Sequence, residues 1–93
     1  IIIQNAMNKN VNVKIRYNSK QEILNKEIPP VKIVKFIDKN LFYLISIENG
    51  ELAYYRINRI IDIKLTKTKS IVSDEDLKLL DIFDYGYHIC NRH

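Results

Sequence analysis

The sequence predicts a mainly β domain of the α+β class: a small, five-stranded antiparallel barrel with a short helix at each end. Three observations predict this class. Apolar and polar residues alternate along several short runs, as they do in half-buried strands. An Asn-Gly pair at positions 49–50 separates two runs of β-branched and aromatic residues, which is a strong hairpin signal because both turn residues must adopt positive φ. No helical pattern separates the strands, which argues against a doubly wound α/β fold.

The first part of the chain is predicted to hold a short helix and three strands, over residues 1–10, 11–17, 22–28 and 31–37. The first strand alternates without fault and ends its inward-facing row at Tyr17. In the second strand, Lys26 shares a face with apolar neighbours. Pro29 and Pro30 cannot donate hydrogen bonds to a ladder, so they mark either a bend between two sheets or a corner of a barrel.

The hairpin at residues 41–60 decides which side chains share a face. If its loop has two residues, Tyr43 lies opposite Arg56 on one face. The other face then carries Phe42 and Leu44, which we expect to plug the core. A longer loop would reverse these faces.

The chain is predicted to leave the hairpin through a kink. Strict alternation would place Arg59 on the apolar face, and a buried, unpaired arginine is costly. We therefore expect a kink or a short 3₁₀ turn at residues 58–59, followed by a last strand over residues 61–66. Ser73, followed by three acidic residues, is typical of a helix N-cap. That helix is expected to run to about Phe83, and the barrel that fits all these elements is SH3-like or Sm-like.

Composition predicts a cytoplasmic fragment of a longer protein, divided into a barrel domain over residues 1–70 and a helical extension over residues 71–93. The single Cys cannot form an internal disulfide, and no apolar run is long enough to cross a membrane. The chain begins without Met and shows no signal-peptide pattern. Residues 1–70 hold 13 Lys and Arg against 6 Asp and Glu, whereas residues 71–93 hold 2 against 5. A basic body suggests an anionic partner or a docked acidic tail, although solubility alone also explains it.

Two runs in the hairpin resemble the WYL domain, a family named for a Trp-Tyr-Leu run. They are Phe42-Tyr43-Leu44 and Tyr55-Arg56-Ile57-Asn58-Arg59-Ile60. The resemblance extends over residues 3–67 and includes, in order, Ala6, Tyr17, and the pattern Lys26-x-Ile28-x-Pro30-x-x-Ile33. It departs from the family at three positions. Phe42 replaces Trp, Asn58 replaces Asp, and Lys26 replaces an Arg that would offer a bidentate anion contact.

The resemblance implies an Sm-like barrel of the kind found in bacterial transcription regulators. Such a domain usually follows a DNA-binding helix-turn-helix, which would lie outside this fragment. It is thought to sense nucleotide or nucleic-acid ligands, and it is often dimeric. The resemblance therefore implies contact with DNA through a separate domain, and self-association as a homodimer.

The candidate ligand site consists of Tyr43, Arg56 and Arg59, with Tyr17 and Lys26 near its edge. The planar fork of arginine matches phosphate oxygens, and tyrosine offers a face on which a base can stack. The structural alternative is that Tyr43 and Arg56 merely pair across the strands, while Arg59 is solvated or holds the kink. Tyr17 belongs to an otherwise apolar face and favours a core role. Outward residues Lys9, Lys14 and Arg16 extend a basic strip, although such rows are usually solvated surface.

Nothing in the sequence predicts an enzyme, a cofactor or a metal site. His88, Cys90 and His93 invite a metal interpretation, but they lack a fourth ligand and the paired spacing of structural zinc sites. Both His and the only Cys lie in this tail, without a nucleophile triad, a Gly-rich phosphate loop or a carboxylate pair.

Two functions therefore remain. The first is a ligand-sensing regulatory domain that binds a nucleotide or single-stranded nucleic-acid effector. The alternative is a protein–protein interaction module that dimerises without a ligand. Its surfaces would be two apolar groups, Leu41/Ile45/Ile47/Leu52 and Leu77/Leu80/Phe83.

Overall fold

The computed structural model describes residues 2–84 and 89–90. Its helices and strands, in chain order, are α1 (Ile2–Lys9), β1 (Val11–Asn18), β2 (Ile23–Ile28), β3 (Pro30–Phe36), β4 (Leu41–Glu48), β5 (Glu51–Arg56), a 3₁₀ turn (Ile57–Arg59), β6 (Ile60–Lys69), α2 (Asp74–Leu77), a 3₁₀ helix (Lys78–Asp84) and β7 (Ile89–Cys90).

The strands form two antiparallel sheets. One has the order β2-β1-β6, and the other has the order β5-β4-β3, to which the two-residue strand β7 adds an edge. The α+β class is confirmed, but the predicted closed five-stranded barrel is wrong. Pro29 interrupts the chain between β2 and β3, and these two strands belong to different sheets. The Pro-Pro pair therefore marks a bend between sheets, the first of the two predicted possibilities.

The hairpin has the register that a two-residue loop predicts. Tyr43 is paired with Arg56, and Leu44 with Tyr55. Asn49 has φ 54° and Gly50 has φ 77°, as a type I′ turn requires. A Cβ added at Gly50 would meet no atom within 4 Å, so the turn needs glycine for its backbone conformation rather than for space.

The predicted kink after the hairpin is also confirmed, as the 3₁₀ turn Ile57–Arg59. This turn ends β5 in one sheet and starts β6 in the other, where β6 pairs with β1. The kink and the Pro29 bend are the two places where the chain changes sheet, and together they prevent the strands from forming one continuous ladder.

A first hydrophobic cluster lies between the two sheets and under α1. Its members are Ala6, Val11, Val13, Ile15, Tyr17, Ile28, Leu44 and Tyr55. The faultless alternation of β1 is reproduced, because its odd-numbered residues are buried and its even-numbered residues are exposed or half-buried. The inward face of the hairpin sheet contributes Leu44 and Tyr55 to this cluster.

A second cluster lies on the opposite face of the hairpin sheet. It contains Val34, Ile45 and Phe83, with Val31, Tyr43, Leu52 and Leu80 packed against it. The C-terminal segment supplies Leu80 and Phe83, so both faces of this sheet carry packed side chains. This arrangement explains why apolar residues occur on both faces of the hairpin.

The C-terminal helix differs from its prediction in type. Ser73 is the N-cap as expected, and its Oγ accepts a hydrogen bond of 3.0 Å from the Asp76 N–H. Only Asp74–Leu77 is α-helical, and the rest of the segment is the 3₁₀ helix. Leu80 and Phe83 are three residues apart, and side chains at this spacing share one face of a 3₁₀ helix.

The prediction that Phe42 and Leu44 plug the core is correct for Leu44 and wrong for Phe42. Leu44 is fully buried, whereas Phe42 is 50% exposed. Phe42 is paired with Lys35 near the end of the hairpin sheet, and it belongs to neither hydrophobic cluster. Alternation assigns Phe42 to the same face as Leu44, but it does not show how far each position on that face is covered.

Candidate functional site

The five predicted site residues do not converge on one surface. Tyr17 and Lys26 lie on the inward side of the hairpin sheet, where both contact Tyr55. Tyr43 and Arg56 form the predicted cross-strand pair, on the opposite face. Arg59, the fifth, ends the 3₁₀ turn that follows β5. The structure thus contains a buried polar group and, separately, an arginine-bearing sheet edge.

Tyr17 is a core residue that supports this edge. It is buried, and its hydroxyl oxygen accepts a hydrogen bond of 3.0 Å from the backbone N–H of Arg56. Its ring meets the Tyr55 ring edge-on, with centroids 5.2 Å apart. Tyr17 therefore fixes the end of β5 from inside and has no open ring face for a ligand.

Lys26 is the centre of a polar network that links β2 to the hairpin. Its Nζ lies 2.8 Å from Glu48 Oε1 and 2.8 Å from the Tyr55 hydroxyl. The Tyr55 hydroxyl in turn donates a hydrogen bond of 2.6 Å to Glu48 Oε2. The Lys26 ammonium also lies 5.4 Å from the centroid of the Tyr55 ring. Every member thus has a specific partner, which is what a partly buried charge requires.

The network shifts the proton affinities of its members. Hydrogen bonds to Glu48 and then to Tyr55 raise the pKa of Lys26 above its ordinary value. Burial alone would raise the pKa of Glu48, but the hydrogen bonds from Lys26 and Tyr55 outweigh it and the pKa is lowered. Burial, followed by the hydrogen bond to Glu48, raises the pKa of Tyr55 to about 12. At neutral pH, Lys26 and Glu48 are therefore charged and Tyr55 is protonated.

Glu48 and Tyr55 were not among the predicted site residues. The alternation pattern indicated that both side chains face inward, as Lys26 does. Lys26 was expected on an apolar face, where a lysine needs an acceptor. In the two-residue-loop register, both Glu48 and Tyr55 fall on the same inward face of the hairpin as Leu44. An inward lysine and an inward glutamate on neighbouring elements form such a pair.

Tyr43 is held among other aromatic rings. Its centroid lies 4.9 Å from that of Phe36 and 6.3 Å from that of Tyr54, both edge-to-face. Tyr54 is also in edge-to-face contact with Phe83, at 6.2 Å. Tyr43 is half-buried and packs against the second cluster. Its position is structural at least in part, and its predicted role in base stacking stays a prediction.

Arg56 and Arg59 are the half-buried cations of the hairpin edge. The Nε atom of Arg56 is buried and has no hydrogen-bond partner within the described residues. The ion pairs found among the described side chains, those of residues 2–83, are Lys26–Glu48 and Lys78–Glu75, so none of these side chains neutralises either arginine. Arg56 ends β5, the edge strand of its sheet, and both arginine side chains remain partly accessible to solvent.

The outward row of β1 lines a groove of about 400 Å³ on the other sheet. Lys14 is paired with Glu27 on one side and with Lys64 on the other. Arg16 lies between Asn25 and Asp62 in the same way. The groove therefore mixes charges of both signs.

Metal and membrane interpretations find no support among the described residues. Residues 2–84 contain no group of three or more His, Cys, Asp or Glu placed to hold a metal ion. His88, His93 and the side chain of Cys90 lie outside the described part of the chain. No helix in that part is both long and apolar enough to cross a membrane.

Comparisons with known proteins support the fold. No protein-family model and no curated protein sequence matches the chain. Among solved structures, the chain is similar to the proteasome accessory factor B/C (PafBC) of Arthrobacter aurescens, with a TM-score of 0.64 at 15% identity. The match covers 73% of this chain and 11% of that chain, so this chain is comparable with a small part of PafBC. The likeness supports a WYL-like fold for this chain.

Proposed function

We propose that this chain is the effector-binding regulatory domain of a bacterial transcription regulator, and that it captures a nucleotide or single-stranded nucleic acid at Arg56 and Arg59. Capture would bias a DNA-binding helix-turn-helix located elsewhere in the protein, and two copies would act as a homodimer. The role is one of binding without catalysis, in the cytoplasm. The WYL-like fold and the sequence resemblance support the regulatory assignment.

The state of Arg56 carries the proposal. An arginine N–H that is buried without a partner costs free energy, because it has lost water and gained no acceptor. The Arg56 Nε is in this state, while the backbone of the same residue is tied to the Tyr17 hydroxyl. Because the side chain as a whole is only half-buried, we expect a phosphate oxygen to contact its accessible part and to offset the unpaired positive charge, without reaching the buried Nε.

The choice of ligand follows from the neighbouring charges. Arg56 directly precedes the 3₁₀ turn and Arg59 is its last residue, and no described acidic side chain forms an ion pair with either. Two arginines without counter-ions favour an anion with more than one phosphate oxygen. Single-stranded nucleic acid and nucleotides offer such oxygens together with bases that can contact nearby rings.

The proposal is tested by replacing both arginines and measuring binding of a labelled single-stranded oligonucleotide by fluorescence anisotropy at low salt. We expect Arg56→Ala/Arg59→Ala to weaken binding about tenfold or more, as loss of charge-assisted hydrogen bonds does. Lys20→Ala/Lys39→Ala is the matched control, because it removes two positive charges from exposed turn positions. The control should bind within about twofold of the parent, since its charges contribute only long-range attraction.

Arg56→Lys separates charge from geometry. It keeps the positive charge and removes the planar fork, so we expect affinity between that of the parent and that of Arg56→Ala. Equal losses in the arginine variant and the lysine control would mean that binding depends on net charge alone. That result would contradict a site at Arg56 and Arg59.

The alternative of a dimerisation module without a ligand loses much of its expected surface. Ile45, Ile47 and Phe83 are buried within a single chain. Leu52 and Leu80 pack against the second hydrophobic cluster, which contains Ile45 and Phe83. If the arginine variants kept full affinity while the protein still self-associated, the dimerisation module would become the better assignment.

A further inference from the structure

Most aromatic rings in the described part of the chain are engaged with one another. Tyr17 and Tyr55 form one edge-to-face pair in the first cluster. Phe36, Tyr43, Tyr54 and Phe83 form a continuous chain of such contacts across the outer face of the hairpin sheet. These six rings are therefore used in holding the fold together.

Phe42 is the exception. It is 50% exposed, belongs to neither hydrophobic cluster and, within residues 2–84, contacts no other aromatic ring. It lies one residue from Tyr43, the partner of Arg56, but alternation along β4 directs it to the opposite face of the sheet. A single exposed phenylalanine is common on protein surfaces and carries no function by itself.

Two further features distinguish this phenylalanine. Lys35, its cross-strand partner on β3, holds its ammonium 5.5 Å from the centroid of the Phe42 ring. Lys35 forms no ion pair within residues 2–84. On its other flank, β4 packs against the 3₁₀ turn that ends in Arg59. A half-exposed ring, with an ammonium over one of its faces, thus lies near an element that carries a second cation.

We infer that Phe42 is the ring on which a nucleobase of the effector stacks, with Lys35 contacting the adjoining phosphate. The inference rests on the proposed function and deepens it by naming a base-binding position on β4, which packs against the 3₁₀ turn that ends in Arg59, on the face of the sheet opposite Arg56. Aromatic stacking and a neighbouring cation are the combination by which single-stranded nucleic acid is bound without sequence readout. It also moves the stacking role from Tyr43, whose ring is occupied, to its neighbour.

The experiment compares two single strands with equal numbers of phosphates, oligodeoxythymidylate and an abasic strand. Phe42→Leu should weaken binding of oligodeoxythymidylate by about 5- to 150-fold, the range that corresponds to one stacked base. The same variant should bind the abasic strand as the parent does, because a phosphate backbone needs no ring. Circular dichroism verifies that the variant, altered at a half-exposed position, keeps its fold.

A second readout uses fluorescence, since the chain contains no Trp. Phe42→Trp introduces a single indole, which a stacked base should quench on addition of oligodeoxythymidylate but not of the abasic strand. Tyr54→Trp is the comparison, because Tyr54 is comparably exposed at 42% and lies on the opposite face of the sheet, which also carries Arg56. Its emission should change less than that of Phe42→Trp and should not depend on whether the strand has bases.

The outcomes separate the inference from the function on which it rests. If the parent binds neither strand at low salt, both are overturned. If the arginine variants lose binding while Phe42→Leu keeps the parent affinity, only the stacking inference is wrong. Quenching at Tyr54→Trp instead of Phe42→Trp would also overturn it. So would loss of self-association in Phe42→Leu without loss of affinity, because Phe42 would then be a contact between copies.

Discussion

Lys26 illustrates how this small domain keeps a charge on an inward face. Its side chain is 38% exposed and that of Glu48 is 23% exposed, so the pair lies at the mouth of the first cluster rather than inside it. Tyr55 completes a closed triangle of hydrogen bonds and contributes its ring to the cluster below. The network therefore connects β2 to both strands of the hairpin through polar contacts.

A double-mutant cycle measures the strength of this connection. We expect Lys26→Met and Glu48→Gln each to lower the free energy of unfolding by about 1–2 kcal/mol, with a coupling of about 1 kcal/mol after allowance for solvent screening. The measurement is urea denaturation. The exposed pair Lys78–Glu75, whose charged atoms are 3.8 Å apart, is the control and should show almost no coupling. Equal couplings in the two pairs would contradict a specific role for the network.

The pH dependence of stability tests the same residues. Because the pKa of Glu48 is lowered by folding, its contribution is present above the ordinary value of 4.5 and is lost as pH falls through the lowered pKa. The difference in unfolding free energy between the parent and Glu48→Gln should therefore be constant near neutrality and shrink in acid. A difference that grows as pH falls would show the opposite shift.

Tyr55 gives the corresponding effect in alkali. Its raised pKa means that its contribution is complete below the ordinary value of 10.0 and is lost as pH rises through about 12. Ultraviolet titration of the folded protein should show a tyrosine that ionises at about 12, and Tyr55→Phe should remove that step. Persistence of the late step in Tyr55→Phe would assign it to another tyrosine.

At the level of elements, the C-terminal segment covers the outer face of the hairpin sheet. The 3₁₀ helix places Leu80 and Phe83 against Tyr43, Tyr54 and their neighbours, so that the outer face is packed rather than open. The acidic residues at the start of α2 stabilise its N-terminus, and the segment docks through apolar side chains. This docking is the structural reason why Tyr43 is only half-exposed.

Substitution of Phe83 tests the docking. Phe83 is 8% exposed, so Phe83→Ala should lower the free energy of unfolding by about 3 kcal/mol through lost burial and a residual cavity. Ile82→Ala is the control on the same 3₁₀ helix, because Ile82 is 38% exposed and should cost less than about 1 kcal/mol. Similar small effects of both changes in urea denaturation would mean that the segment contributes little to the fold.

The turns of this fold were predictable from the sequence, because their conformation depends on a few adjacent residues. The Asn49-Gly50 turn determines the hairpin register, and the cost of burying Arg59 correctly indicated the 3₁₀ turn. The type of the last helix was not predictable in this way, because spacings of three residues suit both α and 3₁₀ helices. Alternation placed Lys26 and Glu48 on inward faces, but it could not show that their strands, which belong to different sheets, bring the two side chains together.

At the level of the whole molecule, the separation into two sheets escaped prediction. Alternation shows which side of a strand faces inward, but it does not show which strands pair. The 3₁₀ turn and the Pro29 bend were both foreseen, yet each is compatible with a barrel corner or with a change of sheet. The exposure of Phe42 was not predicted either, because alternation gives the face of a residue and not how far that face is covered.

The two sheets give the molecule two packed hydrophobic clusters and an edge whose arginines form no ion pair with the described side chains of residues 2–83. Tyr17, Lys26 and Tyr55 stabilise that edge from inside, while the second cluster supports it from outside. Tyr17, Lys26 and Tyr43 are thus engaged within the fold, whereas Arg56 and Arg59 have no ion-pair partner among the described side chains. We propose that these two arginines bind an anionic, nucleic-acid-type effector.

The most direct test of this claim is the salt dependence of oligonucleotide binding by the unaltered protein. Each phosphate neutralised on a single strand contributes a slope of about −0.7 to a plot of log affinity against log salt concentration. Two arginine contacts therefore predict a slope of about −1.4 or steeper, which should become shallower in Arg56→Ala/Arg59→Ala. A flat salt dependence, or no binding at the lowest salt concentration, would contradict binding of a nucleic-acid-type effector at Arg56 and Arg59.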